Sequence, residues 1–253
     1  MSGKGRVSAL LIAALLLLPL LPGRALALSA SEILDRVDDL YRGKSSSGKM
    51  TMAITTEHWQ RTLSMDMWSK GKDMSLIRIT APAKEQGTAT LRVKNEIWNY
   101  LPKVNRVIKL PSSMMSASWM GSHFTNDDLV KESRFTDDYT FSVTGERKEN
   151  GHTIVDITCI PKPDAAVVWG KVVVTADADE FLPLKSLYYD EDGDLARTMV
   201  FSDVQKMGDR ILPLSLVIYP ADKPKEKTEV HYDQINFDQD LPDDFFSLRN
   251  LQK

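Results

Sequence analysis

The sequence predicts a mainly β fold, an antiparallel meander preceded by one helix, and three observations carry that prediction. Many short runs alternate apolar and polar residues, which is the side-chain period of a strand. Turn signals punctuate them at Lys70-Gly71, Asn150-Gly151, Asp192-Gly193 and Met207-Gly208-Asp209. A helix-capping signal stands ahead of the first run. Such a meander must curl into a barrel or fold into a sandwich to cover its apolar face.

The chain opens with a secretory leader. Lys4 and Arg6 form a positive start, residues 7–21 are almost continuously apolar, and Ala25-Leu26-Ala27 is a small-x-small cleavage signal. The apolar run falls short of the roughly 20 residues that span a bilayer. No cysteine lies near the cleavage point, so a soluble, unlipidated periplasmic protein with its N-terminus at Leu28 is expected.

Ser29 and Glu32 then form a capping box, in which serine hydroxyl and carboxylate satisfy orphan amides reciprocally. Ile33, Leu34, Val37, Leu40 and Tyr41 recur at helical spacing, and Gly43 supplies the stop. Strands are expected over residues 50–54, 62–68, 74–80, 88–94, 96–101 and 106–110. The second half continues with 139–147, 153–160, 171–176, 182–189, 196–202, 211–219 and 228–237. No repeat or linker divides the sequence, and residues 28–253 read as one domain.

Charge narrows the function. Removing residues 1–27 takes away Lys4, Arg6 and Arg24 and no acid, which lowers Lys+Arg from 32 to 29 against 35 Asp+Glu and leaves about −6. That balance argues against nucleic acid, which needs clustered cations, and gives no general attraction to anionic lipid surfaces. The lone cysteine, Cys159, is in phase with Val155 and Ile157 on one strand face and reads as a small buried hydrophobe.

Catalytic signals are thin. His58, His123, His152 and His231 show no metal-ligand spacing, His152 reading as a turn residue and His231 as solvent-facing. G-x-S-x-G, H-E-x-x-H and C-x-x-C are absent. Asp127 and Asp128 are adjacent on a helix and so share no face. The acidic stretches Asp190-Glu191-Asp192 and Asp243-Asp244 read as solvated turns rather than calcium loops. Neither an enzyme nor a metal protein is expected.

Methionine is unevenly spread. Eight of the 11 methionines fall between Met50 and Met120, whereas valine and isoleucine carry the later strands. Methionine conforms to irregular or changing apolar partners, which suits an adaptable ligand cavity. The same half holds a segment read as a flap. Pro111 ends a strand, Ser112 and Ser113 cap a short helix with Met114, Met115, Trp119 and Met120, and Gly121-Ser122 forms a hinge. Thr125 then caps a second helix with Asp128 at its third position, and Phe124 and Leu129 match a hydrophobic staple.

From Gly87 through Trp98-Asn99-Tyr100-Leu101-Pro102 and Arg106 to Trp119-Met120-Gly121-Ser122-His123-Phe124-Thr125-Asn126-Asp127-Asp128-Leu129, the chain resembles the outer-membrane lipoprotein-sorting protein family, with the LolA/LolB-like fold. His123 departs from that pattern, standing where an acidic residue is expected after Gly-Ser. The resemblance implies an unclosed antiparallel β-barrel of about 11 strands, with an N-terminal helix and short lid helices over an apolar cavity. It implies a periplasmic carrier that holds lipoprotein acyl chains or related lipids for transfer towards the outer membrane. Such a carrier is a cofactor-free monomer, with a transporter of the resistance-nodulation-division (RND) or ABC type as partner. The lipid-binding candidates are Met65, Met67, Met74, Leu91, Trp98, Tyr100, Met114, Met115, Trp119, Met120 and Phe124, with Arg106 as candidate lid contact. A sensory regulator of the anti-sigma-factor type, or a fixed accessory subunit of a lipid exporter, is the alternative.

Overall fold

The computed structural model describes residues 28–131, 135–165 and 167–253; the leader read at residues 1–27 lies outside them. A helix, α1 (Ala30–Asp39), leads into six strands: β1 (Ser45–Thr55), β2 (Gln60–Lys70), β3 (Met74–Ala81), β4 (Ala89–Val93), β5 (Glu96–Leu101) and β6 (Arg106–Lys109). Two short helices follow, α2 (Asn126–Lys131) and α3 (Phe135–Asp138). Seven more strands complete the sheet: β7 (Tyr139–Glu149), β8 (His152–Pro161), β9 (Lys171–Asp177), β10 (Leu182–Tyr189), β11 (Leu195–Met207), β12 (Arg210–Pro220) and β13 (Lys227–Phe237). The chain ends in α4 (Leu248–Leu251).

Every alternating run of the sequence forms a strand, giving 13 rather than about 11, all in one antiparallel sheet. Each half is a meander, and the halves join where β1 pairs with β13. The seam is tight: a Cβ on Gly48 would lie 2.2 Å from the Gln234 carbonyl oxygen, so only glycine fits there. The order β6-β5-β4-β3-β2-β1-β13-β12-β11-β10-β9-β8-β7 leaves β6 and β7 as the two edges. The barrel is therefore unclosed, and residues 110–138 connect its edges.

Alternation sorts the strands' side chains onto two faces. On the inner face Met50, Met52 and Ile54 meet Leu63 and Met65 across the β1–β2 ladder, and Val230 and Leu216 complete the cluster from β13 and β12. A second cluster seats Ile33 and Leu34 of α1 on Val155, Ile157, Cys159, Val172 and Val174. Cys159 sits in it as expected, and burial pushes its thiol pKa up to about 12, out of reach of nucleophilic chemistry at neutral pH. The capping box of α1 is formed, with Glu32 N–H bonding Ser29 Oγ at 3.2 Å and Ser29 N–H bonding Glu32 Oε2 at 2.8 Å.

The outer face of β3 to β6 is apolar too. Leu76, Leu91, Trp98 and Tyr100 are covered there by Leu241, Phe245, Phe246 and Leu251 of the C-terminal segment. Polar ties hold that cover down: Lys70 Nζ donates to the Leu241 carbonyl at 2.7 Å, and an Arg78 guanidinium nitrogen to the Asn250 carbonyl at 2.6 Å.

Candidate functional site: a cavity under a latched flap

Inside the sheet lies a cavity of about 220 Å³. Its wall is mostly apolar, with Met50, Met52, Met67 and Ile77 from the first half, and Met199, Phe201, Leu216, Val230 and Tyr232 from the second. Leu34, Val37 and Tyr41 of the N-terminal segment line it on another side, and Trp119, Phe124 and Leu129 of the flap close it. Two charged residues belong to the lining, Asp38 and Arg42, paired at 3.3 Å. Burial raises the Asp38 carboxyl pKa above its ordinary value, against the pull of Arg42 and Lys72.

The flap is built differently from the expected helix–hinge–helix. Ser112–Met114 makes a single 3₁₀ turn, after which the chain becomes a small hairpin with Ser118 bridged to Thr125. Trp119 N–H donates to the Phe124 carbonyl at 2.8 Å, and Ser122 N–H to the Trp119 carbonyl at 2.9 Å. Met120 and Gly121, both at positive φ (52° and 69°), form the tip of the turn between them. Gly121 and Ser122 are thus turn residues, with Ser122 buried and its hydroxyl donating to the Trp119 carbonyl at 2.7 Å. The Asn126 side chain decides against helix by donating to the carbonyls of Met114 and Ala117, at 2.9 and 3.2 Å, oxygens that a continuing helix would have used.

Beyond the hairpin the cap signal is realised. Asp128 N–H donates to Thr125 Oγ1 at 3.2 Å, and Thr125 N–H to Asp128 Oδ2 at 2.7 Å, starting α2. Phe124 and Leu129, the staple pair, both face the cavity.

Polar contacts through Arg197, His123, Arg61 and Trp119 fasten the flap to the barrel. Arg197 on β11 grips Asp128 with two nitrogens at 2.7 and 2.6 Å and donates to the His123 carbonyl at 3.0 Å. Its guanidinium lies over the rings of Trp169 and Tyr188, 4.4 and 4.1 Å from their centroids, and the side chain is almost fully buried. His123 bonds Thr228 Oγ1 through its backbone N–H (3.0 Å) and through Nδ1 (2.8 Å), and Glu226 Oε2 through Nε2 (3.1 Å). The His123 hydrogen bond holds the Glu226 carboxyl below its ordinary pKa. At the tip, Arg61 donates to the Met120 carbonyl. Trp119 is nearly fully buried and its indole N–H finds Thr90 Oγ1 at 3.1 Å, so the largest flap side chain buries no unpaired donor.

The lipid-binding candidates separate into groups. Met67, Trp119 and Phe124 line the cavity; Met65 is buried in the cluster around it, and Met120 packs against that cluster. Met115 packs instead on Ile97 and Leu110, and Met114 is exposed. Met74, Leu91, Trp98 and Tyr100 belong to the outer-face cluster under the C-terminal segment, because the β3–β4–β5 register assigns them opposite parity to Ile77 and Thr90. Arg106 stands exposed on the edge strand opposite Leu101, well apart in the ladder from the flap latch; Arg197 makes the lid contact. Sequence reasoning missed Arg197, Glu226 and Thr228, which come from strands and turns far along the chain.

The four histidines are spread as expected in sequence, yet the fold brings His152 within 2.8 Å of Asp177, with Asp179 close enough to complete a three-residue group. Those oxygens already serve the backbone: Asp177 Oδ1 accepts from the amides of Asp179 and Glu180, and Asp179 Oδ2 from that of Thr153. Asp177 and Asp179 thus cap the turn, and His152 meets the other Asp177 oxygen, Oδ2. His231 is solvent-facing, bonded to Ser215 Oγ at 3.0 Å.

An open antiparallel barrel with a lidded apolar cavity defines the class of protein. A family model described as "Uncharacterized protein" matches residues 71–253, and the chain belongs to that family. Solved structures with the same fold include a Vibrio parahaemolyticus domain assigned to the outer membrane lipoprotein-sorting proteins, 25% identical, covering 88% of this chain and 97% of that one at a TM-score of 0.76. A DUF1329-family protein from Desulfovibrio piger is 24% identical over 87% of this chain and 97% of its own, TM-score 0.78. A LolA-superfamily protein from Nitrosomonas europaea is 22% identical over 88% and 100%, TM-score 0.75. No curated protein matches the sequence. The resemblance read from residues 87–129 is thus matched by the architecture of the whole barrel.

Proposed function

We propose that the protein is a periplasmic carrier, a single domain over residues 28–253 released by cleavage after Ala27. It holds acyl chains of lipoproteins or related lipids on the way to the outer membrane. The observation that carries this reading is the apolar, methionine-lined cavity closed by a flap whose ties to the barrel include reversible polar contacts. Binding and release require no bond-making chemistry and no cofactor. The protein works as a monomer, and an RND-type or ABC-type transporter is the partner that loads or unloads it.

The driving force is burial of methylene groups at about 0.8 kcal/mol each. Ten of them contribute roughly 8 kcal/mol, which sets about micromolar as the upper limit of affinity for such a chain, and the entropic losses of binding weaken it further and permit release. A cavity of about 220 Å³ is smaller than the roughly 300–1,000 Å³ of ordinary ligand pockets. A full acyl chain therefore enters as the flap lifts and the methionines re-pack. A partner that favours the lifted state drives handover by shifting that equilibrium.

Native mass spectrometry of the protein purified from its own periplasm tests the reading. Retained mass increments that fragment to acylated molecules are expected. Protein that arrives free of lipid and also fails to bind a fluorescent fatty acid would remove the carrier function.

A further inference from the structure

The overall negative charge hides a local concentration of cations. Residues 99–115 contain Lys103, Arg106 and Lys109 and no acid. Lys109 is paired with Glu96 across the ladder, whereas Lys103 and Arg106 are exposed at the β5–β6 turn and have no acidic partner among the described residues. Between them stands Val104, 59% exposed, with Leu101 and Ile108 partly exposed on the flanking strands. The turn is firm: Asn105 at φ 48° donates its N–H to the Pro102 carbonyl at 3.1 Å, and its side chain accepts from Tyr100 Oη at 3.1 Å. Gly87 of the β3–β4 loop abuts Pro102, and that loop adds exposed Lys84.

Antiparallel register puts this turn at the same end of the barrel as the β1–β2, β3–β4 and β12–β13 turns. The flap tip lies there too, since Met120 is bonded to Arg61 near the start of β2 and Trp59 of the β1–β2 turn sits beside Gly121. Trp59 is 43% exposed. At that end the turn at residues 190–194 is acidic and the β12–β13 turn mixes Lys223 and Lys225 with Asp222 and Glu226, so the β5–β6 turn is the one whose cations stand without acids.

We propose that the β5–β6 tip docks the protein on an anionic phospholipid surface. Unpaired cations flanking an exposed valine complement a negatively charged headgroup layer, and the apolar side chains enter its boundary while the cations stay among the phosphates. Tryptophan at the same end suits a surface where apolar and wet regions meet. Docking there turns the flap towards the bilayer, which is where a lipid has to leave. The proposal stands apart from cargo binding, because none of these residues lines the cavity.

Co-sedimentation of the full chain, as the cell produces it, with phosphatidylethanolamine/phosphatidylglycerol vesicles and with phosphatidylcholine vesicles is the test. Binding to the anionic vesicles alone is expected, and its loss at about 0.5 M salt, where exposed charges are screened. The pair K103E/R106E should weaken binding at least 25-fold, about fivefold for each cation removed, and Val104→Ser should weaken it several-fold. K206E, an exposed lysine at the opposite end, should bind like the parent. These positions are exposed, so thermal midpoints stay unchanged. Wild-type binding by the tip variants, equal binding to both vesicle types, or no binding to anionic vesicles would each overturn the proposal. Fatty-acid binding without vesicles, measured in parallel, reports separately on the carrier reading.

Discussion

The barrel carries two apolar faces with opposite fates. The outer face of β3 to β6 is filled by the chain's own C-terminal segment, with Phe246 and Leu251 seated on Leu76 and Leu91. The inner face around Met50, Met52 and Met67 keeps an open volume, and its cover is the flap, tied by Arg197, His123 and Arg61. Both are apolar, the inner one with more methionine and the outer one with more leucine and aromatic rings, and that alone does not decide which can open. The difference lies in the cover: one is continuous packing, the other a hairpin with ion-pair and hydrogen-bond latches. A face sealed by packing supports stability; a face sealed by latches can be opened.

The largest expected effect separates the two faces. Phe246→Ala should lower unfolding free energy by about 3–5 kcal/mol and leave fatty-acid binding by the folded fraction intact. Met67→Gln, in the cavity wall, should do the reverse, weakening binding by roughly 10-fold or more with a smaller stability cost. Urea unfolding beside a fluorescent fatty-acid titration reads both. Matching losses in the two variants would erase the distinction.

The latch comes next. Asp128→Asn leaves the Arg197 guanidinium buried without its carboxylate, a change that costs about 3–5 kcal/mol when a buried pair is broken. Replacing both, as Asp128→Asn with Arg197→Met, should recover part of that loss, a coupling that a double-mutant cycle measures. If the two effects simply add, the pair is no latch.

A smaller effect is expected from acid. The folded pKa of Glu226 is depressed by its His123 bond. The carboxylate's contribution is therefore present above the ordinary glutamate range and is lost as pH falls through the lower folded value. Flap-specific hydrogen exchange should rise on acidification into that range, and Glu226→Gln should blunt the rise. An unchanged profile in Glu226→Gln would assign the acid response elsewhere.

Local signals in the sequence carried far. Alternation located every strand, and the reciprocal pairs Ser29/Glu32 and Thr125/Asp128 marked two helix starts that the structure forms. Parity was the weak point. Strand β4 carries Ala89, Leu91 and Val93 on one side and the buried polar pair Thr90 and Arg92 on the other. Alternation alone therefore sends its apolar side inward, and nothing local told Leu91, Trp98 and Tyr100 to face out. Their cover, residues 241–251, lies more than a hundred positions away. The hairpin form of the flap depended on an Asn126 side chain competing for carbonyls, and periodicity does not register such competition. Arg197 was invisible for a related reason, since its aromatic cage and carboxylate partner come from three distant segments.

Locking the flap tests the central claim most directly. His123→Cys with Thr228→Cys places two thiols at positions whose side chains now touch, His123 Nδ1 lying 2.8 Å from Thr228 Oγ1, while the native Cys159 is buried away from solvent. Stopped-flow binding of a fluorescent fatty acid should be slowed at least 100-fold in the oxidised protein and restored on reduction. Equal binding rates in the oxidised and reduced forms, with the disulfide verified by mass, would contradict entry beneath the flap.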